Sequence, residues 1–203
     1  MRSGGRDAIR TGPGIRLLAL WVMFLLLAAP FGVSAEEKAA VPSATGGSGI
    51  EGFRMPEAGA VAPDFTLKDT GGGTFRFAEE NAKKPVLLLF WSVFCEPCRL
   101  EMPVLQRLHD KYRDAGLAVV AVALDGEPLK GSVAGFVRQD GFTFRVLIDE
   151  LDARETFKAA DPYGVAWIPT LFLVDKGGKV ALGRVGRIKE EDLEKAIQPL
   201  LKK

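Results

Sequence analysis

Two cysteines and one histidine are all that 203 residues supply of the side chains that bind zinc most readily. A zinc site takes about four ligands, so Cys95, Cys98 and His109 fall short of one. A c-type haem needs a histidine directly after the second cysteine, and position 99 is Arg. There is also no excess of charge. Twenty-seven basic residues stand against 26 acidic ones, a formal net charge of +1. No Lys/Arg stripe interleaved with aromatics breaks that balance, which argues against nucleic acid as a partner. Internal repeats are missing, and so is any Met-rich or His-rich tract. No cofactor and no resident metal follow from what remains.

The one long apolar run is N-terminal. Arg2, Arg6, Arg10 and Arg16 face Asp7 alone, and Leu17 to Ala35 is apolar apart from Ser34. A basic stretch followed by an apolar one is the pattern of a secretory leader. Two readings of residues 1–35 stand. Val33-Ser34-Ala35 offers small residues for cleavage after Ala35, whereas 19 largely apolar residues approach the roughly 20 needed to span a bilayer, so residues 17–35 could remain as a tether. Pro30 and Gly32 weaken such a helix. Either way the rest of the chain lies outside the cytoplasm, secreted or anchored, with the Arg-rich end facing in. Beyond residue 35 the balance turns to 23 basic against 25 acidic residues.

Residues 36–59, rich in Ala, Gly, Ser, Glu and Pro around Thr45-Gly46-Gly47-Ser48-Gly49, read as a flexible linker. From residue 60 to 203 a single domain follows. Apolar runs alternate there with helical spacing, which defines an α/β fold with a central mixed sheet and helices on both faces. Phe65-Thr66-Leu67 and Thr74-Phe75-Arg76 flank a turn-rich stretch and predict an N-terminal β-hairpin. Val86 to Trp91, Leu117 to Leu124, Phe144 to Ile148 and Leu171 to Val174 predict buried strands. Val180 to Val185 is expected to return antiparallel after Lys176-Gly177-Gly178-Lys179. Helices are expected over Pro97 to Ala115, Ser132 to Gln139, Ala153 to Ala160 and Lys189 to Leu201.

The cysteines stand as Cys95-Glu96-Pro97-Cys98, between the strand ending near Trp91 and the next helix. Free N–H groups and the positive dipole end of a helix N-terminus favour a thiolate at Cys95. Pro97 suits the first turn, where its missing donor costs nothing. Cys98, one turn in, is placed as the more buried resolving thiol. As a passive staple the pair would close one of the shortest loops available and so add little stability. Redox chemistry is the stronger reading.

These residues resemble the thioredoxin-like proteins of the TlpA/ResA type, related to the AhpC/TSA group. The resemblance rests on Ala62-Pro63-Asp64-Phe65-Thr66-Leu67, on Phe90 to Pro103 around the cysteine pair, and on Ile168-Pro169-Thr170. It covers Val61 to the C-terminal helix. It implies a thioredoxin fold and a periplasmic or membrane-tethered bacterial reductase of protein disulfides, often serving cytochrome c maturation. Its partners would be a protein disulfide substrate and a membrane dithiol donor that recharges the pair. Phe94 replaces the Trp usual before the first cysteine, and Leu89 stands where thioredoxins keep a buried Asp.

Glu101 lies three residues after Cys98 and in line with Leu105, Leu108 and Tyr112, hence on the apolar face. A buried carboxylate there would have a raised pKa and could exchange a proton with the Cys98 thiol; the resemblance implies a functional Glu at this position. A surface acid near a helix N-terminus is the plainer alternative. The resemblance also implies a cis bond between Ile168 and Pro169 beside the cysteines, leaving backbone groups for an extended substrate. Phe94 and Trp167 flank these elements as a substrate lip or as core. His109 reads as a solvated surface residue, and Pro103 as a helix kink.

Two rival functions remain on this reading. A peroxiredoxin opens with a similar Ala-Pro-Asp-Phe stretch, but the Pro and Thr expected ahead of its peroxidatic cysteine correspond to Leu88 and Ser92. A copper-binding module could use the two thiols, without the Met or His tract that usually accompanies them.

Overall fold

Leu87, Leu89 and Trp91 point to one face of a strand, Val86, Leu88 and Phe90 to the other, and all six are fully buried. A strand covered on both faces belongs in the middle of a sheet. In the computed structural model, which describes residues 54–202, it does. The proposed leader of residues 1–35, its tether at 17–35 and nearly all of the linker of residues 36–59 lie outside the described residues. No helix among the described residues is long and apolar enough to cross a membrane.

The elements in chain order are β1 (Thr66–Asp69), β2 (Thr74–Arg76), α1 (Phe77–Asn81), β3 (Val86–Trp91), α2 (Glu96–Tyr112), β4 (Ala118–Ala123), α3 (Lys130–Gln139), β5 (Arg145–Ile148), β6 (Thr170–Val174), β7 (Val180–Val185) and α4 (Glu190–Leu201). A single 3-10 turn at Glu127–Leu129 precedes α3. The strands form one sheet in the order β2-β1-β5-β4-β3-β6-β7. β3, β4 and β5 run parallel, with Leu89 opposite Ala121 and Val122 opposite Leu147. The expected N-terminal hairpin is β1–β2, antiparallel to each other and to β5. β6 runs antiparallel to β3, with Phe90 opposite Thr170, and β7 antiparallel to β6.

The period of two along β3 divides the core into two layers. One gathers Leu87, Leu89, Trp91, Cys98, Met102, Leu105, Leu108, Val133, Leu193 and Ile197, so α2, α3 and α4 cover that face. The other gathers Phe65, Phe77, Phe90, Tyr163 and Phe172. Tyr163 sits at its centre, its ring 5.0 Å from Phe172 and 5.3 Å from Phe90.

That second face is covered differently from expectation. The helix read over Ala153 to Ala160 does not form; the segment is a series of turns with a bridge between Leu151 and Phe157. Short acidic side chains take the amides a helix would use. Asp152 Oδ1 accepts from Arg154 and Thr156, Asp161 Oδ2 from Phe157, and the fully buried Asp149 from Ala159 and Ala160. Aspartates compete with helical hydrogen bonding in this way. The helical cover on this face is the five-residue α1, which sequence periodicity was too short to reveal.

The chain enters beside the segment that covers this face. A Cβ on Gly164, whose φ is +61°, would come within 2.5 Å of the Arg54 backbone, so only glycine admits this approach. Met55 packs on the second layer, and the Gly59 N–H donates to the Val180 carbonyl at 2.8 Å.

Candidate active site

β3 and β4 end side by side, and the chain leaving β3 must turn before α2 can start. Ser92 and Asp125, just past the two strand ends, hold that turn. The Ser92 hydroxyl donates to Asp125 Oδ1 at 2.8 Å, and the Val93 N–H lies 3.2 Å from Oδ2. The Phe94 N–H then donates to Ser92 Oγ at 3.1 Å, and the Cys95 N–H to the Ser92 carbonyl at 3.1 Å.

Cys95 is the N-cap of α2, with extended backbone (φ −89°, ψ 102°). Its Sγ accepts the Cys98 N–H at 3.2 Å, taking one of the helix's free donors. Pro97 falls in the first turn. The two sulfurs are bonded at 2.04 Å, the oxidised state of the pair. Cys95 is half-buried and Cys98 has no exposed surface.

Thr170 pairs with Phe90, which puts Pro169 across from Trp91, at the end of β3 from which the cysteine loop departs. The Ile168–Pro169 bond is cis. The Thr170 hydroxyl donates to the Trp167 carbonyl at 2.5 Å, and the Gly186 N–H to the Pro169 carbonyl at 2.7 Å. Pro169 is buried and Ile168 touches both core layers. Phe94 and Trp167 are 76% and 65% exposed, so neither is core. Two large apolar side chains left in solvent next to the cysteine loop and the proline are the kind of exposure that marks a binding surface.

Glu101 has no exposed surface and shares the buried face of α2 with Cys98, Met102, Leu105 and Leu108. Its Oε2 accepts from Arg187 Nε at 3.3 Å, while Oε1 is buried without a partner. Burial pushes the carboxyl above its ordinary value of 4.5, opposed by the Arg187 guanidinium and the Ile188 amide. The surface alternative for Glu101 is thereby excluded.

His109 departs from expectation. It is half-buried, edge-on to Phe144 at 6.3 Å, with Nδ1 shielded and unpartnered, and burial pushes its pKa down. The tail of α2 lies over the layer holding Phe144, which removes the water expected around it. Pro103 is accommodated within α2, which continues to Tyr112. Among the described residues no group of three or more His, Cys, Asp or Glu side chains is placed to hold a metal ion. Two residues at the site escaped sequence reasoning. Asp125 carried a weak signal, as an acid directly after a parallel strand, where loops converge in such sheets. Arg187 carried none.

A cysteine pair at a helix N-terminus, at the strand end where a cis proline precedes an antiparallel neighbour, defines a thioredoxin-fold thiol-disulfide oxidoreductase. The chain belongs to the AhpC/TSA family, whose model matches residues 58–182. It is 37% identical over 142 residues to the thiol-disulfide oxidoreductase ResA of Geobacillus thermodenitrificans, covering 70% of this chain and 77% of that one. Over 136 residues it is 37% identical to the protein of the same name from Bacillus anthracis, covering 67% and 74%. Among solved structures, a candidate thiol:disulfide interchange protein DsbE from Chlorobium tepidum matches with a TM-score of 0.63 and 34% identity, over 72% of this chain and 99% of that one.

Proposed function

We propose that this chain is an exported reductase of protein disulfides in which Cys95 is the attacking thiolate, Cys98 the resolving thiol and Glu101 the group that exchanges a proton with Cys98. The substrate chain lies against Phe94, Trp167, Ile168 and Pro169. A membrane dithiol donor restores the pair, and apocytochrome c is the substrate class the family resemblance favours. Residues 1–35 deliver the domain to the periplasm or the outer face of the cytoplasmic membrane, cleaved or retained as the anchor.

One observation carries this reading: the half-exposed Cys95 stands beside two exposed aromatics, with Cys98 and an acid buried behind it. That gradient of exposure separates an attacking sulfur from a resolving one. The peroxidase alternative is weakened because Ser92 already donates its hydroxyl to Asp125 and accepts from Phe94, leaving it badly placed to polarise a peroxide.

The test is the reduction potential of the pair in a glutathione or dithiothreitol buffer, with insulin-disulfide and hydrogen peroxide reduction compared at equal enzyme. A reductase should have a potential below that of the strong oxidant DsbA, about −120 mV, and near or below the thioredoxin range, about −270 mV. It should reduce insulin readily and peroxide slowly. A potential near the DsbA value, or peroxide as the faster substrate, would overturn the reading.

A further inference from the structure

We propose that Arg187 is a positioning residue for Glu101: it holds Oε2 from the loop between β7 and α4 and leaves Oε1 as the oxygen that exchanges a proton with the Cys98 thiol. The inference rests on the reading of Glu101 as the proton-exchanging acid and adds the residue that orients it.

Three observations support it. The Glu101 side chain has no exposed surface, and Arg187, which contacts it, is half-exposed, so the ion pair joins a buried acid to a cation that reaches solvent. Nε of Arg187 is the side-chain donor to the acid, at 3.3 Å from Oε2, the Ile188 amide beside it also favours the charged form, and Oε1 has no partner although it is buried. An unpartnered buried oxygen requires an explanation, and a proton-transfer role supplies one. Finally, the Gly186 N–H donates to the Pro169 carbonyl, which fastens the residue before Arg187 to the substrate side of the site. Arg187 therefore links the proline to the buried acid.

Arg187 is the charged group that bears on Glu101. Elsewhere in the layer, β3 contributes Leu89 and Trp91, β6 contributes Leu171 and Leu173, and α4 contributes Leu193 and Ile197, none of which carries charge. On α2 the titratable neighbour one turn away is Cys98, with Cys95 beyond it. The step is balanced within the dithiol reaction. The Cys98 S–H proton passes to the Glu101 carboxylate as the sulfur attacks Cys95 in the mixed disulfide. The Cys95–substrate S–S bond breaks, the Cys95–Cys98 bond forms, and the departing substrate thiolate takes up a proton. The dithiol has lost two electrons and the substrate disulfide has gained them. Arg187 favours the ionised carboxylate that accepts the proton. Its fixed contact with Oε2 decides which oxygen is free.

The test follows the pH dependence of insulin-disulfide reduction in Arg187→Gln, Arg187→Lys, Glu101→Gln and the Glu101→Gln/Arg187→Gln double variant. Arg187→Gln is expected to move the acidic limb to higher pH and to slow the reaction about three- to tenfold on that limb, where one pH unit is tenfold. Arg187→Lys should recover most of the loss, because the cation is kept. In the Glu101→Gln background the Arg187 change should move nothing further, as for two residues acting through one contact. A loss of thermal stability in Arg187→Gln with an unmoved profile would overturn the inference and leave Glu101 its role. So would an equal shift in the Glu101→Gln background. An unchanged profile in Glu101→Gln alone would remove the reading of Glu101 and the inference with it.

Discussion

Ser92 and Asp125, 33 residues apart in sequence, join through a 2.8 Å hydrogen bond that ties the strand before the cysteines to the strand beside it. Because the same carboxylate receives the Val93 N–H, removing it leaves a hydroxyl and a backbone donor without their partner. Asp125→Ala is expected to cost about 1–3 kcal/mol in urea unfolding and to slow disulfide exchange by loosening the turn that positions Cys95. Asp125→Asn keeps one acceptor and should fall between. An Asp125→Ala protein with unchanged stability and rate would refute the anchoring role.

Glu101→Gln provides a test by pH dependence of stability. The folded carboxyl titrates above 4.5, so over the window from about 4.5 up to its raised value the folded protein binds more protons than the unfolded one. Its contribution therefore lowers stability as pH rises through that window, and the deficit persists above it. Glu101→Gln abolishes this component. The variant should gain on the wild type between acid and neutral pH, and the two should converge toward pH 4. A stability difference independent of pH would contradict burial of the ionisable acid.

Asp149 holds the end of the Ala153 to Ala160 segment in a non-helical course by accepting its amides. Asp149→Ala removes the acceptor of the Ala159, Ala160 and Glu150 amides, two of them buried, and is expected to destabilise the domain by about 2–4 kcal/mol in chemical unfolding. A cost below about 0.5 kcal/mol, the level of ordinary surface changes, would mean that water replaces the carboxylate there.

The strands were legible because continuous apolar runs such as Val86 to Trp91 have few other stable homes, and α2 because Cys98, Leu105, Leu108 and Tyr112 repeat at helical spacing. The segment from Ala153 to Ala160 was not legible. Its apolar spacing also suits a helix, and only the fold reveals that Asp149, Asp152 and Asp161 reach back to its amides. At the site, Cys95, Cys98 and Glu101 could be read from spacing along one element. Ile168 and Pro169 needed the family resemblance. Arg187 needed the fold itself, since its partner lies 86 residues away.

Phe94 and Trp167, both exposed, are expected to serve binding and not chemistry. Phe94→Ala and Trp167→Ala are expected to raise KM for a disulfide-bonded protein substrate about tenfold or more when combined, as loss of aromatic contacts at an interface does. Alkylation of reduced Cys95 by iodoacetamide should hardly change. An unaltered KM would remove the lip from the substrate site.

The assignment of Cys95 as attacker and Cys98 as resolver is tested most directly by isolating Cys98→Ser and Cys95→Ser proteins from the host without reductant and weighing them intact. Cys98→Ser retains the exposed nucleophile and lacks the only other thiol in the chain, so a mixed disulfide with substrate should persist. Cys98→Ser should carry covalently attached protein that dithiothreitol releases, and Cys95→Ser should carry none. Equal trapping by both variants, or by neither, would contradict the assigned roles.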